Sequence, residues 1–249
     1  MRLLEQLAEA HVPRGFRRQL KAVAQSGTAV IAELKKASPS RGLIRANFDA
    51  ASLAMELENA GAAALSVLTD EEFFQGSLEN LRLASASTTL PCLRKDFIVD
   101  EFQMLEARAH GADAVLLIVA ALSPAELVGL AMLGRNYELD VLCEVHDEEE
   151  LERAVNAGCN LIGVNSRDLR TFQVDLATAY RLAERIPQNV VRVAESGIHT
   201  GVEIARLRTA GYQSFLIGES LMKVDSPGQA LRDLLADSGN TPITVPTEN

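Results

Sequence analysis

From Ala29 onward, short apolar runs alternate with segments whose apolar positions recur at helical spacing. The runs lie near 29–35, 63–69, 91–96, 114–120, 140–145, 161–165, 190–195 and 214–218 and read as strands. Each is followed by a helical pattern that a capping residue opens. The openers are Asp49, Ser77, Asp100, Ser123 with Pro124, Asp147, Asp175, Thr200, and Ser226 with Pro227. Gly61, Gly111, Gly158 and Gly211 each stand between a helix and the next strand, at intervals of 50, 47 and 53 residues. Glycine suits the left-handed position after a helix end. The intervals span two strand–helix units each, so the chain looks built in quarters. Eight units in about 210 residues predict a (β/α)8 TIM barrel, an α/β fold. The competing open, doubly wound sheet lacks support, because no GxGxxG follows the first strand.

Residues 1–28 lie outside the repeat and read as a short N-terminal helical extension, "LLEQLAE" and "FRRQLKAVA". Residues 29–236 are the expected barrel. The tail 237–249 has little to bury and is expected to be mobile. Hydrophobic residues make up 47% and charged residues 23% of the 249, enough for a sizeable core. A net charge of −10 argues against nucleic acid or an anionic membrane surface as partner. A small anionic substrate in a local basic pocket remains compatible with it. No apolar run nears the roughly 18 residues of a membrane span, and the N-terminus lacks a signal-peptide core. Cys92, Cys143 and Cys159 sit in apolar stretches without a CxxC pair and are expected to be reduced core thiols. These features fit a cytoplasmic protein, expected as a monomer.

Catalytic groups of this fold gather at the C-terminal ends of the strands. Strand one ends in Glu33 and Lys35, two apart and so on one face, before the loop "SPSRG". Strand three ends in Arg94-Lys95-Asp96, strand five in Glu144 and His146, strand six in Asn165 and Arg167, and strand seven in Glu195 and Ser196. One such residue could cap the barrel rim. A whole set converging on one mouth predicts a site, since burying an ion costs several kcal/mol even after relaxation. The loops after strands seven and eight, "ESGIHTG" and "IGESLM", carry Gly197 and Gly218, through which backbone N–H groups could approach a phosphate. Ser38 could add a hydroxyl, whereas Glu219 is an awkward neighbour for an anion unless it points away. His146 is read as a bystander, and His11, His110 and His199 show no chemistry. No metal cluster is evident and no cofactor is expected.

Taken in order, "IAELKKASPSRG", "LSVLTDEEFFQGS", "LRKDFIVDEFQ", "EVHDEEEL", "GVNSRDL", "AESGI" and "LIGESLM" resemble the indole-3-glycerol-phosphate synthase family of tryptophan biosynthesis, from about residue 29 to 235. The resemblance implies ring closure of 1-(2-carboxyphenylamino)-1-deoxyribulose 5-phosphate with loss of carbon dioxide and water, without a metal. It implies that Lys95 protonates the ribulose carbonyl and that Glu144 is the acid–base group of the dehydration. Lys35 would hold the substrate carboxylate and Glu33 would manage protons. Asn165, Glu195 and Ser196 would orient sugar hydroxyls, and Ser38, Gly197 and Gly218 would cradle phosphate beside Glu219. Phe74, Phe97, Leu116 and Leu169 would wall the aromatic ring, and Arg167 would support the site electrostatically.

A carbonyl acid should give up its proton near neutral pH, so a Lys95 tuned downward by Arg94 and a second lysine is expected. Only about 30 residues precede "IAE", fewer than the family's usual extension; that segment helps cover the mouth in relatives, so substrate closure is expected to differ. Two alternatives stay open. One is another sugar-phosphate barrel such as phosphoribosylanthranilate isomerase, although Cys143 should face away from Glu144. The other is a catalytically silent barrel that only binds a phosphate ligand.

Overall fold

The computed structural model describes residues 1–240. Its eight parallel strands are β1 (Ala29–Leu34), β2 (Ala64–Leu68), β3 (Cys92–Lys95), β4 (Ala114–Ile118), β5 (Asp140–Val145), β6 (Leu161–Asn165), β7 (Val191–Glu195) and β8 (Ser214–Ile217). Each pairs with the next, and β8 returns to β1, so the sheet closes into the predicted barrel. The helices are α1 (Arg2–Ala10), α2 (Phe16–Ala24), α3 (Ala50–Asn59), α4 (Leu78–Ala86), α5 (Phe102–Ala109), α6 (Pro124–Asn136), α7 (Glu148–Asn156), α8 (Ala177–Ala183), α9 (Gly201–Thr209), the short α10 (Glu219–Met222) and α11 (Pro227–Asn240). Asp49, Ser77, Ser123, Asp147 and Thr200 accept the expected backbone N–H three residues on. Asp100 and Asp175 instead bond the N–H two residues on, at 2.8 and 2.9 Å. The four quarter-marking glycines all take positive φ, between 75° and 101°.

The side-chain period of two divides the apolar residues into two cores. Val30, Ala32 and Leu34 of β1 join the layer between sheet and helices. Ala29 and Ile31 join the barrel interior, with Leu93, Leu116, Leu142, Leu161 and Val193. Phe16 and Leu20 of α2 complete that interior core and are fully buried. They meet residues that begin the strands, such as Ala29, Ala114 and Val191, so α2 plugs the barrel end opposite the strand C-termini. Hydrogen bonds fix the plug. Arg14 reaches Asp113 with Nε at 2.9 Å and Nη2 at 2.6 Å, and Arg17 N–H donates to Asp140 at 2.8 Å. Thus α2 closes the bottom of the barrel, while α1 packs beside α5.

Two local features escaped the periodicity. The loop after β1 folds into a ribbon, Ala37–Ser38 against Gly42–Leu43. Cys143 and Cys159 form a disulfide, in place of the reduced thiols expected, while Cys92 stays free. Cys143 points outward from β5 and Cys159 leads into the adjacent β6, which brings their Cα atoms to 6.5 Å. The helix α11 continues to Asn240, and Ser238 bonds Thr28 at 2.9 Å. The rest of the expected mobile tail lies outside the described residues. Among the described residues no helix is long and apolar enough to cross a membrane.

Asp113 is wholly buried and also accepts from the Cys92 N–H at 2.7 Å. Burial raises its pKa, but bonds from His11 and Arg14 outweigh that and hold it below the usual value. Asp113→Ala leaves the Arg14 guanidinium, otherwise bonded to carbonyls and the Ser85 hydroxyl, without its counter-charge and should cost about 3 kcal/mol. Thermal melts should show a drop on the order of 10 °C, with ligand binding at the far mouth preserved. A drop under about 3 °C would mean that the plug holds by apolar packing alone.

Candidate active site

At the C-terminal ends of the strands the barrel interior changes from apolar to ionisable. Glu33 follows Ala29 and Ile31 on the inner face of β1, while Cys143 and Val145 flank Glu144 in the outer layer. Glu33, Glu144 and Glu195 are each no more than 3% exposed. Lys35 Nζ lies 2.5 Å from Glu33 Oε1, and Lys95 Nζ lies 3.0 Å from Glu144 Oε2. Strands β1 and β5 stand on opposite sides of the ring, so the mouth holds two facing lysine–carboxylate pairs.

Room for these carboxylates comes from missing side chains. Gly163 sits opposite Glu144 in the β5–β6 ladder, and a Cβ there would lie 1.9 Å from Glu195 Oε1. A Cβ on Gly218 would lie 2.6 Å from Glu33 Oε1. Gly218 therefore shapes the acid site as well as the loop in which it was read as a phosphate ligand. Ser66 Oγ supports Glu33 at 3.4 Å. Asn165 Oδ1 accepts the Arg167 N–H at 3.0 Å and its side chain also bonds Glu144.

Burial raises the proton affinity of every one of these carboxyls, and their neighbours decide the outcome. For Glu33, Lys35 and Lys95 outweigh burial and hold the pKa below the usual value. For Glu144, Lys95 and His146 do the same. Glu195 is the exception: burial and the adjacent Glu144 push it well above the ordinary range, and Lys95 does not compensate. Burial pulls Lys95 down, but Glu144, Glu195 and Glu33 overcome it and raise the ammonium pKa. The expected lowering of Lys95 is thus overturned. Arg94, which was to cause it, points outward to Asp96 at 3.0 Å and Glu106 at 2.9 Å.

All sixteen residues predicted for the site line one cavity of about 390 Å³. Glu219 does not point away. Arg41 holds its Oε1 at 3.1 Å, and Arg167 lies 3.6 Å from Oε2. Nearby, Ser196 and Gly197 take successive positive φ values of 65° and 77°. A Cβ on Gly197 would lie 2.6 Å from Val174. The cavity also includes Phe73, Phe172 and Ile118, which the sequence reading left out. Phe73 packs edge-to-face on Phe97 at 6.5 Å, and its only signal was the doubled aromatic in "EEFFQG". His146, read as a bystander, lies 3.5 Å from Glu144. Among the described residues no His, Cys, Asp or Glu cluster is arranged to hold a metal ion.

Residues 2–234 match the family model described as indole-3-glycerol phosphate synthase. An indole-3-glycerol phosphate synthase of Koribacter versatilis (strain Ellin345) is 62% identical over 231 residues, 93% of this chain and 89% of the relative. One from Polaromonas naphthalenivorans (strain CJ2) is 49% identical over 215 residues, covering 86% and 82%. Among solved structures, a 3-hexulose-6-phosphate synthase superposes with a TM-score of 0.67 over 84% of this chain and 99% of its own. At 15% identity that likeness concerns the fold alone.

The raised Glu195 gives a stability signature. Its carboxyl binds a proton more readily folded than unfolded, where the reference value is about 4.3. It therefore erodes stability once the pH passes about 4.3 and until the higher folded value is passed. Glu195→Gln escapes that loss. Its melting temperature should match the parent near pH 4 and exceed it by a few °C at about pH 7–8. A gap that narrows with rising pH would contradict the assignment.

Proposed function

The chain belongs to the indole-3-glycerol phosphate synthase family, and from that premise we propose how its residues divide the work. The enzyme is a decarboxylating lyase of tryptophan biosynthesis. It converts 1-(2-carboxyphenylamino)-1-deoxyribulose 5-phosphate to indole-3-glycerol phosphate, carbon dioxide and water. The observation that carries the assignment of roles is the pair of lysine–carboxylate contacts, 2.5 and 3.0 Å long, facing each other across one cavity.

Ring closure forms a bond between the carboxyl-bearing aromatic carbon and the ribulose carbonyl carbon. The carbonyl oxygen gains a pair of electrons and a proton from Lys95. An ammonium held charged by three carboxylates is a weak acid at rest. It is also an assured hydrogen-bond donor, and the oxygen becomes the stronger base as its negative charge develops. The ring, now an electron-poor cation, recovers its electrons when the carbon–carbon bond to the carboxylate breaks and carbon dioxide leaves. Glu144 then protonates the new hydroxyl, which departs as water, while the neighbouring carbon loses a proton to form the indole double bond. Glu33 is the group placed to take it, with Lys35 on the substrate carboxylate in the earlier step.

Asn165, Glu195 and Ser196 orient the sugar hydroxyls in this assignment. Ser38, Gly197 and Gly218 approach the phosphate, with Arg167 supplying positive potential and Glu219 lining that end of the cavity. Phe74, Phe97, Leu116 and Leu169 wall the aromatic ring. We also place the enzyme in the cytoplasm as a monomer. An isomerase using a mouth cysteine is disfavoured, because Cys143 is directed outward and bonded to Cys159.

The chain contains no tryptophan, so indole emission reports product without protein background. Lys95→Met should lower that rate by at least about 10²–10⁴-fold while inorganic phosphate still binds. Turnover within a factor of about three of the parent would remove Lys95 from the role of acid.

A further inference from the structure

His146 belongs to neither lysine pair, yet it is built against one of them. Its Nδ1 lies 2.9 Å from Glu150 Oε2, and the same oxygen accepts the His146 backbone N–H at 2.8 Å. A carboxylate can only accept there, which puts a proton on Nδ1 and fixes the ring. Nε2 is fully buried, has no hydrogen-bond partner, and faces Glu144 Oε1 at 3.5 Å. Two lone pairs facing each other in a buried site would repel. The geometry points to one proton held between His146 and Glu144, with His146 as the positioning and proton-supplying residue behind the acid of the dehydration.

The proton count of the reaction asks for such a group. Two protons are delivered, one to the carbonyl oxygen and one to the departing hydroxyl, and one returns from the neighbouring carbon. Lys95 supplies the first. Glu144, held as a carboxylate by that same lysine, has none of its own to give. The imidazolium Nε2–H passes its proton to Glu144 Oε1 as Glu144 protonates the leaving hydroxyl. Its N–H electron pair stays on nitrogen, leaving a neutral imidazole still bonded to Glu150. The ring is 14% exposed, so solvent can restore the proton between turnovers.

The charges facing His146 are Glu150 from α7, Glu144 from β5 and Lys95 from β3. Burial and Lys95 disfavour the imidazolium, and the two carboxylates outweigh them, raising the His146 pKa. This role rests on Glu144 acting as the dehydration acid, and the test separates the two.

With enzyme in excess over substrate, carbon dioxide release and indole emission are followed in one turnover at several pH values. His146→Asn should release carbon dioxide at close to the parental rate but form indole about tenfold more slowly. In the parent that lag should open only as the pH rises through the imidazole titration; in the variant it should be present throughout. Glu150→Gln should shift the onset of the lag to lower pH. Equal slowing of both signals, or no slowing of either, would overturn the inference. Glu144→Gln serves as the reference: a lag there without one in His146→Asn rejects only the histidine's role. Parental kinetics in Glu144→Gln would reject the reading of Glu144 itself. Imidazole NMR of the four histidines provides a second, non-kinetic check. The His146 midpoint should fall in Glu144→Gln, and an unmoved midpoint would refute the shared proton.

Discussion

Five ionisable groups are enclosed together at the barrel mouth: Glu33, Glu144 and Glu195 against Lys35 and Lys95. Removing each ion from water costs several kcal/mol, and only close pairing recovers it. Three carboxylates cannot all be neutralised by two ammonium groups. The deficit falls on Glu195, whose Oε1 finds no partner and whose proton affinity rises accordingly. Gly163 and Gly218 exist in this arrangement as space for carboxylate oxygens. Any side chain at either position would displace a carboxylate oxygen.

Such a mouth is a poor contributor to stability, and the opposite end of the barrel is built in the opposite way. There Phe16 and Leu20 close the interior with apolar surface, and Asp113 gathers Arg14, His11 and a strand N–H around one buried carboxylate. The division follows the fold, in which the loops at one face carry chemistry and the other face carries packing. It also explains how strained features survive near the site. Ser196, a non-glycine residue at φ 65°, is held between a paired strand and the packed Gly197 turn.

The barrel was legible in the sequence because each unit announces itself locally. Asp49, Ser77 and Thr200 cap helices wherever the chain places them, and Gly61 or Gly211 turns a chain end regardless of what lies across the sheet. The inward direction of Glu33 was equally local, since two residues fix one face of a strand. What the sequence hid are relations between strands. Cys143 and Cys159 pair because β5 and β6 are neighbours, a fact no 16-residue spacing conveys. Arg94 sits beside Lys95 in the chain but on the other side of the sheet, so its charge is spent on Asp96 and Glu106. His146 shares a face with Glu144 by the same count of two, but its role depends on Glu150 reaching back from α7.

The pairing that makes the charged mouth tolerable also sets how a substrate can act on it. In the proposed division of work, Lys35 cannot hold the substrate carboxylate and keep all of its attraction for Glu33. As that attraction weakens, burial is left to dominate Glu33, and its affinity for a proton rises. In the proposed roles the same holds for Glu144 when Lys95 yields its proton: the ammonium that kept Glu144 ionised would then be gone, and the carboxylate would become the better base beside His146. In that division of work, each lysine's engagement with the substrate prepares its partner carboxylate to receive a proton. With those roles, a site of opposed pairs would order the steps of the reaction through charge, the rigid strands of the barrel keeping the partners at fixed separation.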